Sequence, residues 1–423
     1  MRILLVGAGG FIGRHLLTAL QAGGHEVVAT SRSGRGAELP GVIWRALDLA
    51  TLADDPTAFG WPEQVELLIN AAGLLDTDAE HLDRVQHRGT RALFDLAAQW
   101  PVKVIHISAL GAGSQRDVPF LASKAIADDH LLELGVPAVV LRPSLVLGQG
   151  SASSAWLGRL SVWPLAPLLD TRAQLQPLHI DDLVGAVLAL LRHWPEESCV
   201  LPVVGGEPMT QAEIVQLLRR QQGRGRALTF ALPGWLAAIG AFLGDTFGWR
   251  ALNSQTRTLA RRDNIASGEP LQDACGYRVA PLRARLHEWP DARSTASDAL
   301  RPLLLATLLL VWLGTAYVCL GPGFNWGLSI LAEAGVRGEG AAWVVRVGAV
   351  CDALLGLGLL SRRWRKPALR AQLALMLGYS LILTAILPYY WFDPFAALGK
   401  NLVLMVATLW LLWTEAGAGQ MRR

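Results

Sequence analysis

The chain has 423 residues, 52% of them hydrophobic, and a formal net charge of +3. That length exceeds one ordinary domain, and so small a positive charge, with no basic block carrying interleaved aromatics outside one short loop, argues against a nucleic-acid partner. The four cysteines (Cys199, Cys275, Cys319, Cys351) are scattered, without a CxxC pair or histidines at metal spacing, so neither a disulfide framework nor a metal site is expected.

The first residues, MRILLVGAGGFIG, carry too short an apolar run for a signal peptide and read as structure. Ile3 to Val6 is a β-branched and leucine run that predicts a buried parallel strand. Gly7-Ala8-Gly9-Gly10-Phe11-Ile12-Gly13 follows, then a helical pattern from His15 to Leu20. Strand, glycine turn and helix in this order suit a dinucleotide: the glycines let backbone approach a pyrophosphate, and the helix N-terminus favours its charge. A second strand, Glu26 to Thr30, ends in Ser31-Arg32-Ser33 with no carboxylate at its tip. A carboxylate there would bind the ribose 2′-hydroxyl of NAD, whereas an arginine accommodates the 2′-phosphate of NADP. Arg32 therefore favours NADP(H) over NAD(H), the alternative being an ordinary solvated arginine.

Further strands are predicted at Leu67 to Asn70, Val102 to Ser108, Ala138 to Leu141 and Val200 to Val204, alternating with helices. The pattern predicts an α/β fold with a doubly wound, Rossmann-type parallel sheet. Segments at about 150–175 and 205–290 would form a small substrate-binding subdomain, completing a first domain over 1–290. Within them, Trp156 to Leu169 and Pro233 to Trp249 are apolar and Trp-bearing but too short for confident membrane spans. They read either as ordinary core or as a face against a bilayer that admits a lipophilic molecule.

After a linker at 291–301, four spans are expected in 302–415, as an all-α transmembrane bundle. Pro302 to Leu320 and Ala371 to Phe392 lack charge; Ala341 to Leu360 carries Arg346 and Asp352, and Phe395 to Thr414 carries Lys400. Ser361 to Arg370 holds five basic and no acidic residues, whereas 321–340 has only Arg337 as a basic residue. The positive-inside rule then places both termini and the nucleotide domain in the cytoplasm, with the spans in the cell (inner) membrane. Trp312, Trp343, Trp391, Trp410 and Trp413 read as interfacial anchors. Arg346 and Lys400 read as snorkelling cations, and Asp352 as either paired with a cation inside the bundle or functional.

Taken together, Gly7-x-x-Gly10-x-x-Gly13, Asp48-Leu49, Asn70-Ala71-Ala72-Gly73, Gly89-Thr90, Ser108-Ala109-Leu110-Gly111, Ser123-Lys124, Arg142-Pro143-Ser144 and His179-Ile180-Asp181-Asp182 resemble the extended and atypical short-chain dehydrogenase/reductases. The nearest resemblance is to the NmrA-like branch, with relatives of an accessory subunit of respiratory complex I. The membrane half resembles the DoxX-like four-helix domain, on Trp391-Phe392-Asp393-Pro394 and Lys400-Asn401. The first resemblance implies that Gly7, Gly10, Phe11, Ile12 and Gly13 line the pyrophosphate and Asp48 with Leu49 meets the adenine. It implies further that Ala71, Ala72 and Gly73 pass beneath the adenosine ribose, that Lys124 holds the nicotinamide ribose, and that Pro143 and Ser144 flank the nicotinamide. Each also has a plainer reading: Asp48 as a turn cap, Ser144 as packing.

In catalytic members a tyrosine four residues before the lysine donates the proton, with a serine on the same oxygen. Ser108 and Lys124 stand at the catalytic serine and lysine positions, but Phe120 occupies the tyrosine position and has no proton to give. His87 replaces a frequent asparagine. Asp117, Ser123 and His106 are the candidates for a substitute acid. Two functions follow: a membrane-anchored NADP(H)-dependent oxidoreductase of a lipid, quinone or isoprenoid-like molecule, or a non-catalytic NADP(H) sensor or membrane-complex assembly factor.

Overall fold

A computed structural model describes residues 1–74, 78–247, 252–286, 292–392 and 397–420. The chain divides into two compact units, Met1–Ala296 and Ser297–Arg423.

The first unit is built on seven parallel strands: β1 (Arg2–Val6), β2 (Glu26–Ser31), β3 (Val42–Ala46), β4 (Leu67–Asn70), β5 (Lys103–Ile107), β6 (Ala138–Pro143) and β7 (Cys199–Val203). Their spatial order is β7-β6-β5-β4-β1-β2-β3, and every pairing is parallel. The chain reverses direction across the sheet between β1 and β4, and in such sheets ligands bind outside the carboxyl ends of the strands at that reversal.

Alternation along each strand sends side chains to two separate cores. Ile3, Leu5, Ile69, Ile105 and Leu141 pack on one face with α1 (Phe11–Ala22). Leu4, Val6, Leu68, Val104 and Val140 pack on the other, with α2 (Leu49–Asp54), α3 (Gly89–Ala97) and α4 (Pro119–Glu133). The helix α5 (Ile180–Arg192) covers the first face through Leu183, Val187 and Leu190. Both faces being covered, the strands read as near-continuous apolar runs.

A third core lies in the later part of this unit, where Leu157, Leu168, Ile214 and Leu218 meet. Its strand Leu165–Leu168 pairs in parallel with Leu228–Ala231. Two further helices follow, α6 (Gly234–Phe247) and α7 (Ser254–Leu259).

After the short helix Glu269–Cys275 come α8 (Ala292–Leu320), α9 (Phe324–Glu333), α10 (Glu339–Gly358), α11 (Arg362–Ile386) and α12 (Ala397–Gln420). Three of them, α8, α10 and α11, are long and apolar enough to cross a membrane. The segment 292–301 is helical, running without a break into the first apolar stretch. The third apolar run is shorter than expected: α11 stops at Ile386, and Pro388–Phe392 forms a 3₁₀ turn. Pro388 is the reason, since proline disfavours the α conformation at the residue before it and offers no N–H to continue the ladder.

One further expectation for this half is corrected, and the open reading of Asp352 narrows. Trp312 is not an interfacial anchor; it is buried in the bundle core with Leu308, Leu369 and Leu411, and Trp410 packs against the same core. Trp343 and Trp413 remain exposed. Asp352 is 7% exposed, and no cation pairs with it among the described residues. Arg346 instead lies 5.4 Å from the centroid of the Phe324 ring. The charges that do pair are Glu415 with Arg301 and with Arg365, the latter at 3.1 Å, joining α12 to α8 and α11. Asp393 and Pro394 of the WFDP motif lie outside the described residues.

Candidate nucleotide and substrate site

The glycine turn is set by two close approaches. At Gly7, where φ is +78°, a Cβ would stand 2.7 Å from the Ala72 backbone nitrogen. At Gly13 it would stand 2.1 Å from the Gly7 carbonyl oxygen. The turn is therefore clamped between the start of α1 and the loop after β4, and only hydrogen fits at either point. Gly10 caps α1 without a side-chain bond and donates its own N–H to the Gly7 oxygen at 2.9 Å. The uncapped N-terminus of α1, beginning at Phe11 and Ile12, suits a pyrophosphate.

The loop after β4 is held by Asn70, fully buried, whose Oδ1 accepts from the Ala72 N–H at 3.1 Å. Ala71 and Ala72 are half-buried and Gly73 is exposed, so a ribose can lie over small side chains here. At the tip of β2, Arg32 is exposed, and Arg35 follows in a turn where Ser31 Oγ accepts its N–H at 3.1 Å. Arg35 is a second cation at this edge that the sequence reading did not single out. Asp48 is the N-cap of α2, accepting from the Ala50 N–H at 3.0 Å, while Leu49 is buried. The capping role of Asp48 is thus present whatever else it meets.

Lys124 sits on α4, which begins at Pro119, a position where the missing N–H costs nothing. Its Nζ donates to the Ile107 carbonyl oxygen at 3.0 Å and lies 3.6 Å from where a Cβ on Gly73 would be. Burial draws its pKa down from 10.5 to about 8, with Asp128 opposing the change. The side chain thus points toward the loop after β4. Phe120, one turn earlier, has its ring centroid 6.0 Å from Nζ.

Behind the serine position is a buried polar group that the sequence reading missed. Ser108 Oγ donates to Asp128 Oδ2 at 2.8 Å, and the Arg142 Nε donates to the same oxygen at 2.9 Å. Asp128 is wholly buried. Burial pushes its carboxyl up, and Ser108, Arg142 and Lys124 pull it back. The signal was available: Phe120, Lys124 and Asp128 recur every four residues, which places them on one helix face.

The other candidate acids do not line the cavity beside Ser108. His106 is buried with its ring edge-on to Phe94 and its Nε2 3.5 Å from Asp128 Oδ1, and desolvation holds its pKa well below 6.5. Ser123 donates to Gln86 Oε1 at 3.2 Å and to the Phe120 carbonyl at 3.1 Å. Asp117 accepts from both terminal nitrogens of Arg262, one of them at 2.7 Å. His87 Nδ1 pairs with Asp83 at 2.7 Å, within the π-helical turn Asp83–Arg88 that leads into α3.

A cavity of 340 Å³ brings the two ends of this chemistry together. Ile12, Ser108, Phe120, Pro143 and Ser144 form one side. Trp156, Leu157, Leu169, Leu175 and Leu259 add apolar lining, and Arg262 and Asn264 add polar lining. Ser144 turns its hydroxyl away, donating to the Gln176 carbonyl. The sequence did not foretell that α7 and the residues after it would complete this cavity, because no local pattern links them to Ser108. Lys124, Asp128 and His106 do not line it.

Residues 3–200 match the profile of the NAD dependent epimerase/dehydratase family, and residues 309–409 match that of the DoxX-like family. Among curated proteins the chain is 27% identical over 289 residues to a ceramide reductase of Caulobacter vibrioides, covering 64% of this chain and 88% of that one. It is 26% identical to subunit 9 of the NADH dehydrogenase [ubiquinone] 1 alpha subcomplex of Dictyostelium discoideum, over 50% of this chain and 61% of that one. It is also 26% identical to a 2-alkyl-3-oxoalkanoate reductase of Stenotrophomonas maltophilia, over 66% and 94%. Two solved structures share the fold: gox2253, with a TM-score of 0.53 at 20% identity over 71% of this chain and 98% of that one, and MoeE5, with 0.52 at 20% over 71% and 99%. The chain is an integral membrane protein that joins an NAD(P)-binding, epimerase- and short-chain-dehydrogenase-like domain to a C-terminal DoxX-like domain.

Proposed function

We propose that the protein is a membrane-anchored, NADP(H)-dependent oxidoreductase that reduces a carbonyl on a lipophilic molecule. The observation that carries this reading is the apolar 340 Å³ cavity running from Ile12, Pro143 and Ser144 to Trp156 and Leu157, with Ser108 on its wall. A mostly apolar cavity with a few convergent polar groups suits a small lipophilic ligand. The named activities of the Caulobacter and Stenotrophomonas relatives, ceramide and 2-alkyl-3-oxoalkanoate reduction, are in keeping with it.

The cofactor, when bound, supplies a hydride to the carbonyl carbon. The chain's own residues do the rest. Gly7, Gly10 and Gly13 would admit the pyrophosphate to the start of α1, Arg32 and Arg35 would hold the 2′-phosphate, and Lys124 would hold ribose hydroxyls beside Gly73. Pro143 and Ser144 set the position of the reacting ring against the cavity. Because Phe120 has no acidic proton, Ser108 passes a proton to the substrate oxygen while taking one from Asp128 in its protonated form, which burial favours. The carboxylate left behind accepts the Ser108 hydroxyl at 2.8 Å until solvent returns the proton on product release.

On this reading α12 is the fourth span, the basic stretch 361–370 faces the cytoplasm, and the nucleotide domain, residues 1–290, works on cytoplasmic NADPH. Purified full-length protein in detergent, assayed for NADPH binding and oxidation with quinones and with 3-oxoacyl and lipid aldehyde substrates, tests it. Turnover that Phe120→Tyr increases supports the reading. Tight NADPH binding without turnover in wild type and in Phe120→Tyr leaves the second reading, a non-catalytic NADP(H) sensor or assembly factor, for which the absent tyrosine hydroxyl is the specific support.

A further inference from the structure

Helix α6 is folded inside out relative to a soluble surface helix. Its small residues Ala237, Ala241 and Gly244 face the protein and are buried. A Cβ on Gly244 would stand 1.6 Å from the Leu252 carbonyl oxygen. Its large residues, Trp235, Ile239 and Phe242 with Leu236 and Leu243, face outward, Trp235 and Phe242 being 68% exposed. These five fall at i, i+1, i+4, i+7 and i+8, one continuous stripe on a 3.6-residue helix. A soluble helix turns such a stripe to the core.

The stripe is not isolated. Phe230 and Leu228 on the strand before α6, and Leu165 on the strand paired with it, are exposed too. Elsewhere among the described residues of 1–286, apart from Met1, exposed large apolar side chains stand singly, at Ile43, Trp100, Ile126 and Ile265. Contiguous exposed apolar surface of this kind marks an interaction site.

The flanking charge identifies the partner. From Arg219 to Phe247 the chain carries four arginines and one acid, Asp245, which is engaged with Ser254. Arg219 is buried against the backbone carbonyls of Ser161 and Trp163, but Arg220 and Arg226 are exposed. Exposed Arg261 adds a third cation, its Nη2 lying 3.8 Å from where a Cβ on Gly234, the first residue of α6, would be. A tryptophan-bearing apolar stripe beside arginines matches the anionic face of a bilayer, with rings in the acyl boundary and guanidinium groups at the phosphates.

We propose that α6, with residues 228–230, is an interfacial element that inserts its Trp235, Ile239 and Phe242 face into an anionic lipid leaflet. The element shares structure with the cavity: Leu252 packs on Gly240 of α6, and α7, two residues later, supplies Thr256 and Leu259 to the cavity wall. Insertion therefore seats the substrate side of the nucleotide domain on the leaflet from which a lipophilic substrate comes. This last consequence rests on the reductase reading; the insertion itself does not.

The test uses the full chain in nanodiscs containing phosphatidylglycerol. The native cysteines are replaced by serine, and a nitroxide is placed at Phe242→Cys or, as a control, at the exposed Glu197→Cys. The expected result is that oxygen relaxes the label at 242 more than a water-soluble nickel chelate does, with the order reversed at 197. Substituting Arg220→Glu with Arg226→Glu, or using phosphatidylcholine alone, should reduce the oxygen preference at 242. Nickel-dominated relaxation at both positions overturns the proposal. Spin–spin broadening at 242 that persists when discs hold one bilayer and two chains also overturns it, in favour of a second copy as the partner. In turnover assays Trp235→Glu with Phe242→Glu should raise KM at least tenfold for a bilayer-resident 3-oxoacyl lipid and leave a short soluble analogue unchanged. Absence of all turnover in wild type sinks the reductase reading but leaves the depth result standing.

Discussion

In the nucleotide half the buried carboxylate of Asp128 accepts from Ser108 and from Arg142 on Oδ2, its Oδ1 lying 3.5 Å from His106 without a hydrogen bond, whereas in the membrane half the buried carboxylate of Asp352 has neither a charge partner nor, at Oδ1, a hydrogen bond among the described residues. Both are at most 7% exposed. The first is tied into the framework that presents Ser108 to the cavity, so removing it strands a guanidinium and a hydroxyl. The second holds nothing in place, and burying a polar group without a partner costs stability unless something else is gained. What the difference teaches is that the same residue type at similar burial is part of the framework where a hydroxyl and a guanidinium are tied to it, and a candidate for function alone where nothing is.

Several substitutions probe this contrast. Asp128→Ala should destabilise the nucleotide half by about 3–5 kcal/mol, the cost of breaking a buried pair from one side, read as a lower urea midpoint by intrinsic fluorescence. A loss below about 1 kcal/mol would show that Arg142 finds another partner. Ser108→Ala should keep the fold and NADPH affinity but lower kcat by about 10²- to 10⁴-fold, as loss of a proton donor does; an unchanged kcat would remove Ser108 from the proton path. Glu415→Gln, which weakens the hold on Arg301 and Arg365, should cost about 1–3 kcal/mol as charged hydrogen bonds do, seen as earlier thermal aggregation in detergent. Asp352→Asn should change stability by less than about 1 kcal/mol, since no ion pair is broken. A large loss there would reveal a partner for Asp352 and erase the contrast.

Lys124 gives a pH-dependent version of the same comparison. Its folded pKa, about 8, lies below the ordinary 10.5. Between those values the unfolded chain binds more protons than the folded one, so stability should rise with pH from about 8 toward 10.5 and be lower below that window. Lys124→Met should abolish that rise. If the ammonium holds the ribose, NADPH affinity should fall as pH passes about 8 in wild type and stay low and flat in Lys124→Met. Titration by fluorescence quenching at stepped pH decides between these outcomes.

Much of the nucleotide half was legible because its constraints are local. Ile3 to Val6, the glycines at 7, 10 and 13 and the helix after them are adjacent in sequence, and Gly13 is demanded by the Gly7 carbonyl within the same turn. The strands β2, β4, β5, β6 and β7 likewise declared themselves through short, largely β-branched or leucine runs. The membrane half was legible only as apolar length. A run such as Ala371 to Phe392 specifies burial in lipid but not where proline ends the helix, nor that Trp312 turns inward while Trp343 turns out.

Sequence alone determined that this chain binds a dinucleotide on a parallel sheet and enters a membrane, because glycine spacing, strand alternation and hydrophobic length act over a few residues at a time. It also determined that the tyrosine proton is missing, since Phe120 carries no hydroxyl in any fold. Only tertiary structure decided that Asp128 stands behind Ser108, that residues beyond 250 close the cavity, and that α6 turns its large side chains outward. Those outcomes depend on which surfaces meet across more than a hundred residues of chain, and no periodicity within a segment records its distant neighbour.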